Sequence, residues 1–232
     1  MKQMNYANDG SKYGVDQYRF ARNYDLKDKS YTISADGAKY ALSFVGKEKA
    51  SFDDGKAKRD SDYECLKIEA DTYFIRFGDE FAVFDMAAGA ATLALKDGYV
   101  FGAIDVPGGA SGAAQRFTDE MDGTGVRWML GCYKFTDNIY LGGGKAKAAW
   151  APKESEFNDY DAKYVKIKQG IYLVDVTGAT PSGACAPEGC DRVITLQDYE
   201  HMMMVGCANS KSGPMMISGY GEFPEFDGKL FA

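Results

Sequence analysis

From Tyr31 onward, short apolar or alternating runs are separated by turn signals about every 8 to 12 residues, the punctuation of a sandwich or barrel. Ser30–Ser34 is followed by Asp36-Gly37, and Lys39–Val45 by Gly46. Lys49–Phe52 ends at Asp53-Asp54-Gly55. Tyr63–Glu69 passes through Ala70-Asp71 into Thr72–Phe77, and Gly78-Asp79 turns the chain into Phe81–Asp85. Ala91–Leu95 meets Asp97-Gly98, a hairpin signal, and Tyr99–Val106 completes the set. No long stretch combines helical period with capping signals. The 14% aromatic share, led by 16 Tyr and 14 Phe, suits pleated half-buried surfaces.

The pattern then restarts. Arg127–Phe135, Ile139–Leu141, Lys145–Trp150, Tyr164–Lys168, Ile171–Val176, Arg192–Gln197 and His201–Cys207 read as strands, and the tail from Met215 reads as an added edge strand. The two sets align, an internal repeat. Lys67-Ile68, Tyr73 and Asp62 recur as Lys166-Ile167, Tyr172 and Asp161, each 99 residues on. Asp36–Tyr40 resembles Thr136–Tyr140 with nearly the same shift. Phe81–Phe84 parallels Val193–Leu196 once a longer second loop, Gly178 to Asp191, is allowed. About seven strands per copy are enough to close a small barrel and remove its edges. The organisation expected is an N-terminal arm (1–28), a first barrel (29–106), a Gly/Ala-rich linker (107–125) and a second barrel (126–232).

The chain carries a formal charge of −7, which repels phosphate backbones and argues against nucleic acid as a partner. Its scattered Lys and Arg also argue against an anionic membrane surface. No apolar run reaches membrane-helix length, and the N-terminus shows no signal-peptide core. Five widely spaced cysteines do not form a disulfide framework. A cytoplasmic, reducing location is therefore expected.

Chemistry-bearing residues are few. Pro107–Ala114 is Gly-rich but lacks the Lys-Ser/Thr ending of a phosphate loop. The chain has a single histidine, His201, and no Gly-x-Ser-x-Gly elbow to pair with it. One His excludes a His-rich metal site, so no metal and no cofactor is expected. Cys185 and Cys190 are too far apart for a Cys-x-x-Cys motif and read as surface-loop thiols. Met202-Met203-Met204 with Met215-Met216 either fill a core or line an adaptable pocket. Strand alternation puts Tyr73, Ile75, Phe77 and, past the end, Asp79 on one side, with Phe74 and Arg76 on the other. A carboxylate at a barrel mouth is a candidate acid or base, with Tyr73 as orienter. Arg59 is a candidate clamp for a ligand carboxylate.

Tyr140-Leu141, Trp150, Asp161, Tyr164–Ile167 and Ile171–Val174 resemble the C-terminal module of MoaF-type proteins. That resemblance covers most of residues 30 to 208. It implies an all-β chain of two tandem lipocalin-like (calycin) antiparallel barrels related by internal duplication. A more distant similarity links Asp36–Tyr40 and the stretch Lys67-Ile68, Tyr73, Asp79 to phenolic acid decarboxylases, where Asp79 would match the catalytic carboxylate. The Tyr-x-Tyr pair and Gly-Arg-Trp segment of that family are not kept.

Three functions remain open at this stage. The first is binding of a small aromatic or hydrophobic molecule in a barrel lined by Tyr31, Tyr40, Phe77, Trp150, Tyr172, His201 and Met203. The second is a cofactor-independent lyase or isomerase acting on an aromatic acid through Asp79 and Tyr73. The third is a structural scaffold.

Overall fold

A computed structural model of the chain describes residues 20–106, 115–131, 134–151, 157–178 and 189–224. Pro107–Ala114, most of the arm and Cys185 lie outside the described residues. The described residues form two compact units, Arg22–Arg116 and a second comprising Phe117 onward together with Phe20 and Ala21.

The first unit is a closed antiparallel barrel of eight strands joined in sequence order. These are β1 (Ser30–Ala35), β2 (Ala38–Val45), β3 (Lys49–Asp53), β4 (Lys58–Glu69), β5 (Thr72–Phe77), β6 (Glu80–Asp85), β7 (Ala90–Leu95) and β8 (Gly98–Ile104). Asp36-Gly37 makes the expected two-residue hairpin. Both residues have positive φ, 48° and 80°, which is what the right-handed strand twist requires of such a turn. Ile33 opposite Ile104 closes the ring.

The second unit repeats this plan. After β9 (Arg116–Phe117) come β10 (Gly125–Gly131), β11 (Lys134–Leu141), β12 (Lys145–Ala151), β13 (Asn158–Lys168), β14 (Ile171–Thr177), β15 (Arg192–Asp198), β16 (Met203–Ser210) and β17 (Gly213–Glu222). β12 pairs with β13 and β10 with β17, so these eight strands also close, and β9 adds beside β13. Each barrel thus has eight strands, one more than the sequence pattern suggested. The tail does not form an edge strand; β17 lies between β16 and β10 and completes the ring. What reads in sequence as one strand, Arg127–Phe135, is two, β10 and β11.

The backbone hydrogen bonds define how the copies correspond. Lys27 and Lys29 N–H donate to Tyr24 and Leu26 carbonyls, as Asp122 and Thr124 do to Asp119 and Met121. Phe44 N–H donates to Lys29 O, and Tyr140 N–H to Thr124 O, at 2.8 and 2.9 Å. Both copies shift register at the same point, between Lys67 and Glu69 and between Lys166 and Lys168. The duplication therefore includes the turn before each first strand, where Leu26 and Met121 are buried in their respective cores. It also corrects two sequence pairings. Tyr140 corresponds to Phe44, not Tyr40. Phe84, which faces Tyr73, corresponds to Gln197, which faces Tyr172, so Phe81–Phe84 matches Ile194–Gln197. A one-residue slip matters because it exchanges the two faces of a strand.

Strand alternation sends Tyr73, Ile75 and Phe77 into the first core with Phe44, Phe52 and Phe84. Phe52 meets Phe77 at 5.2 Å and Phe44 meets Tyr63 at 4.9 Å between ring centroids, separations at which aromatic pairs attract. The first core is thus packed largely with aromatic rings.

Candidate ligand-binding site

The second barrel differs at the matching positions. The places of Phe52 and Phe77 are taken by Ala148 and Val176, and those of Leu42, Ala82 and Phe84 by Asn138, Thr195 and Gln197. Loss of two rings opens space, and the amides and hydroxyl make part of its wall polar. The result is a hollow with a cavity volume of about 40 Å³. That is room for a few waters.

Its inner part is built on Gln197. The Gln197 amide nitrogen donates to the Tyr140 hydroxyl at 2.8 Å and to Thr195 Oγ1 at 2.9 Å. Its carbonyl oxygen accepts from the Tyr199 hydroxyl at 2.7 Å. Burial pushes the Tyr140 phenol up to about 12, against the opposing influence of Gln197 and the nearby Trp128 N–H. Burial also holds Tyr199 well above its ordinary value. Both phenols stay neutral.

Two lining groups stand out because buried polar atoms are normally bonded. Trp128 Nε1 and Thr136 Oγ1 have no hydrogen-bond partner among the described residues, although Trp128 is 1% and Thr136 6% exposed. The two residues face each other across β10 and β11. At the end where β14 leaves the barrel, the lining is Tyr160, Val176, Gly178, Cys190 and Arg192. A Cβ at Gly178 would come 2.9 Å from the Tyr160 ring, so only glycine lets that ring lie against the chain. Arg192 is held by Asp175 through two bonds of 2.9 and 2.8 Å.

The sequence-selected residues divide between the barrels. Trp150 lines the hollow. Tyr172 sits below it, with its ring 6.0 Å from Tyr199 and its hydroxyl donating to Glu120 at 2.8 Å. Met203 faces away from the interior; its neighbour Met204 is the lining methionine. His201 is exposed in the β15–β16 turn, with Nδ1 2.8 Å from Asp198. Tyr31, Tyr40 and Phe77 belong to the first barrel, where Tyr40 stacks on Phe52.

Asp79 and Tyr73 are not brought together. Asp79 is exposed in the β5–β6 turn. Tyr73 lies at the other end of β5, its hydroxyl donating to Asp25 at 3.3 Å. Asp79 borders an open groove of about 200 Å³ with Arg59, Glu80 and Lys96. There Arg59 already pairs with Glu80 at 3.1 Å and lies over Phe52. Cys190, which reads in sequence as a surface thiol, is buried in the lining. No motif pointed directly to Gln197, Trp128 or Thr136. The available signal was the repeat, in which polar residues replace apolar ones at inward positions of one copy.

The fold defines a tandem pair of lipocalin-like barrels. Neither a known protein family nor a curated protein matches the chain.

Proposed function

We propose that the chain binds a small, flat, largely apolar molecule inside the second barrel, while the first barrel is its filled structural copy. The observation that carries this reading is the exchange of Phe52, Phe77 and Phe84 for Ala148, Val176 and Gln197. It exchanges aromatic core groups for a small hollow bearing a few placed polar groups, and convergent polar groups on an apolar wall are a feature of small-molecule sites. A MoaF-like carrier is the corresponding proposal for the family resemblance.

Several features support the expected surroundings. The acidic charge of −7 keeps nucleic acid out of the proposal. Among the described residues no helix is long and apolar enough to cross a membrane. The described cysteines Cys65, Cys190 and Cys207 are buried, and buried thiols fit a reducing cytoplasm.

The chain's two tryptophans, Trp128 and Trp150, both line the hollow, so calorimetry and tryptophan emission report on the same site. Titration with naphthalene and with coumarin should give saturable one-to-one binding with a change in emission. Ala148→Phe should abolish both signals. No saturable binding of either probe, or binding indifferent to Ala148→Phe, would refute the proposal.

A further inference from the structure

We propose that the hollow takes a hydroxyl group on a short carbon skeleton, a small neutral alcohol, held between Thr136 and Asn138. This rests on the binding reading above and adds the chemistry of the ligand.

Thr136 and Asn138 both line the hollow from β11. Each stands where the first barrel has a ring or an apolar group. In that copy Tyr40 stacks on Phe52, and Leu42 lies opposite Phe52. The same three positions, each 96 residues on, are Thr136, Asn138 and Ala148. Ala148 faces Asn138 across the β11–β12 pair. The second copy therefore loses a ring at the point where it gains two polar side chains.

The pair offers one donor and one acceptor. Asn138 Nδ2 donates to the Thr136 main-chain carbonyl at 3.2 Å. A carbonyl only accepts, so this bond fixes the orientation of the amide and draws it toward Thr136. It leaves Asn138 Oδ1, an acceptor, with no hydrogen bond among the described residues. The Thr136 hydroxyl is buried and unbonded and can donate. Positions two apart on one strand face begin about 7 Å apart. The leaning amide shortens that gap, and an oxygen with two bonds of about 2.8 Å each spans what remains. A ligand hydroxyl both donates and accepts: it accepts from Thr136 Oγ1 and donates to Asn138 Oδ1. A ketone supplies only the first of these bonds.

Size and charge set the rest of the ligand. The cavity of about 40 Å³ is room for a few waters, so the guest has only a few non-hydrogen atoms. The described lining contains no carboxylate, and its one cation, Arg192, is held by Asp175 in a two-point pair. A charged guest would lose its water without gaining a counter-charge, which is costly.

2-Propanol and acetone share one skeleton, and only the alcohol can donate. Titrations of each are followed by NMR at the Thr136 and Asn138 amides. 2-Propanol should bind saturably and about fivefold to tenfold tighter than acetone. Asn138→Leu, which restores the first barrel's residue, should erase that preference by weakening the alcohol and leave acetone within about twofold. Thr136→Val should weaken both by about fivefold and serves if the first variant does not fold. Equal affinity for the two probes, or a preference that survives Asn138→Leu, would overturn the hydroxyl assignment. No binding of 2-propanol by a protein that binds naphthalene would overturn the alcohol and leave the binding reading standing. Silence of 2-propanol, naphthalene and coumarin together would remove the binding reading as well.

Discussion

Phe52 and Ala148 occupy the same point of the two barrels: Phe52 stands opposite Leu42, and Ala148 opposite Asn138. The ring in one copy and the methyl in the other account for much of the difference between a filled interior and a hollow one. Ala148→Phe should therefore convert the second barrel toward the first. Probe binding should vanish. Stability should change by no more than about 1–3 kcal/mol, the usual range for adding bulk to a core. Urea unfolding and calorimetry on the same variant check both parts, and retained binding would show that the ligand sits elsewhere.

Thr136→Val should make the free protein more stable. Its hydroxyl is buried and unbonded, so removing it relieves a desolvation cost of about 1 kcal/mol. A midpoint in urea that falls instead would mean that the hydroxyl has a partner in solution.

Gly102 and Gly219 are equivalent and lie beside the closing seam of their barrels. A Cβ at Gly102 would come 2.6 Å from Ile33 Cγ2 and 2.8 Å from the Ser34 carbonyl oxygen. One at Gly219 would run into the Met129 carbonyl. Backbone and β-branched neighbours have little room to yield, so Gly102→Ala and Gly219→Ala should each cost upward of about 2 kcal/mol. Thermal unfolding of the two variants measures it, and an unchanged midpoint in either would argue against that seam.

Stability should fall steeply in alkali. Burial pushes Tyr140 up to about 12, and burial together with the Glu120 hydrogen bond does the same for Tyr172. Tyr164 and Tyr199 are raised by burial as well. The unfolded phenol titrates near 10. Their contribution is thus complete below about pH 10 and is lost as pH rises through about 12, because the unfolded chain releases its protons first. Urea midpoints at about pH 9 and about pH 11.5 should differ clearly, with phenolate absorbance rising alongside unfolding. Phenolate that appears while the protein stays folded would contradict the assigned burial.

Much of the fold was legible because it is local. Asp36-Gly37 and Asp97-Gly98 announce their hairpins by backbone preference, and the alternation of Tyr73, Ile75 and Phe77 announces an inward face. The repeat was legible at Lys67 and Tyr73. In each copy this Lys-Tyr pair meets an acid from the preceding turn: Lys67 and Tyr73 bond Asp25, and Lys166 and Tyr172 bond Glu120. The turns themselves escaped notice because Asn23–Lys29 and Thr118–Thr124 share hydrogen bonds but almost no residues. Tyr73 and Asp79 looked like partners because alternation gives a side of a strand without saying which end of the barrel each residue reaches.

The all-β, duplicated and acidic character can be read from residues alone, since turn chemistry, two-residue alternation and charge are properties of short stretches. Tertiary structure decided that both rings close, that β17 lies between β16 and β10, and that the second barrel is hollow. Those outcomes depend on how residues far apart in the chain fill one interior. An Ala at position 148 is unremarkable in a strand, and it becomes a site once Val176, Gln197, Trp128 and Thr136 stand around the space it leaves.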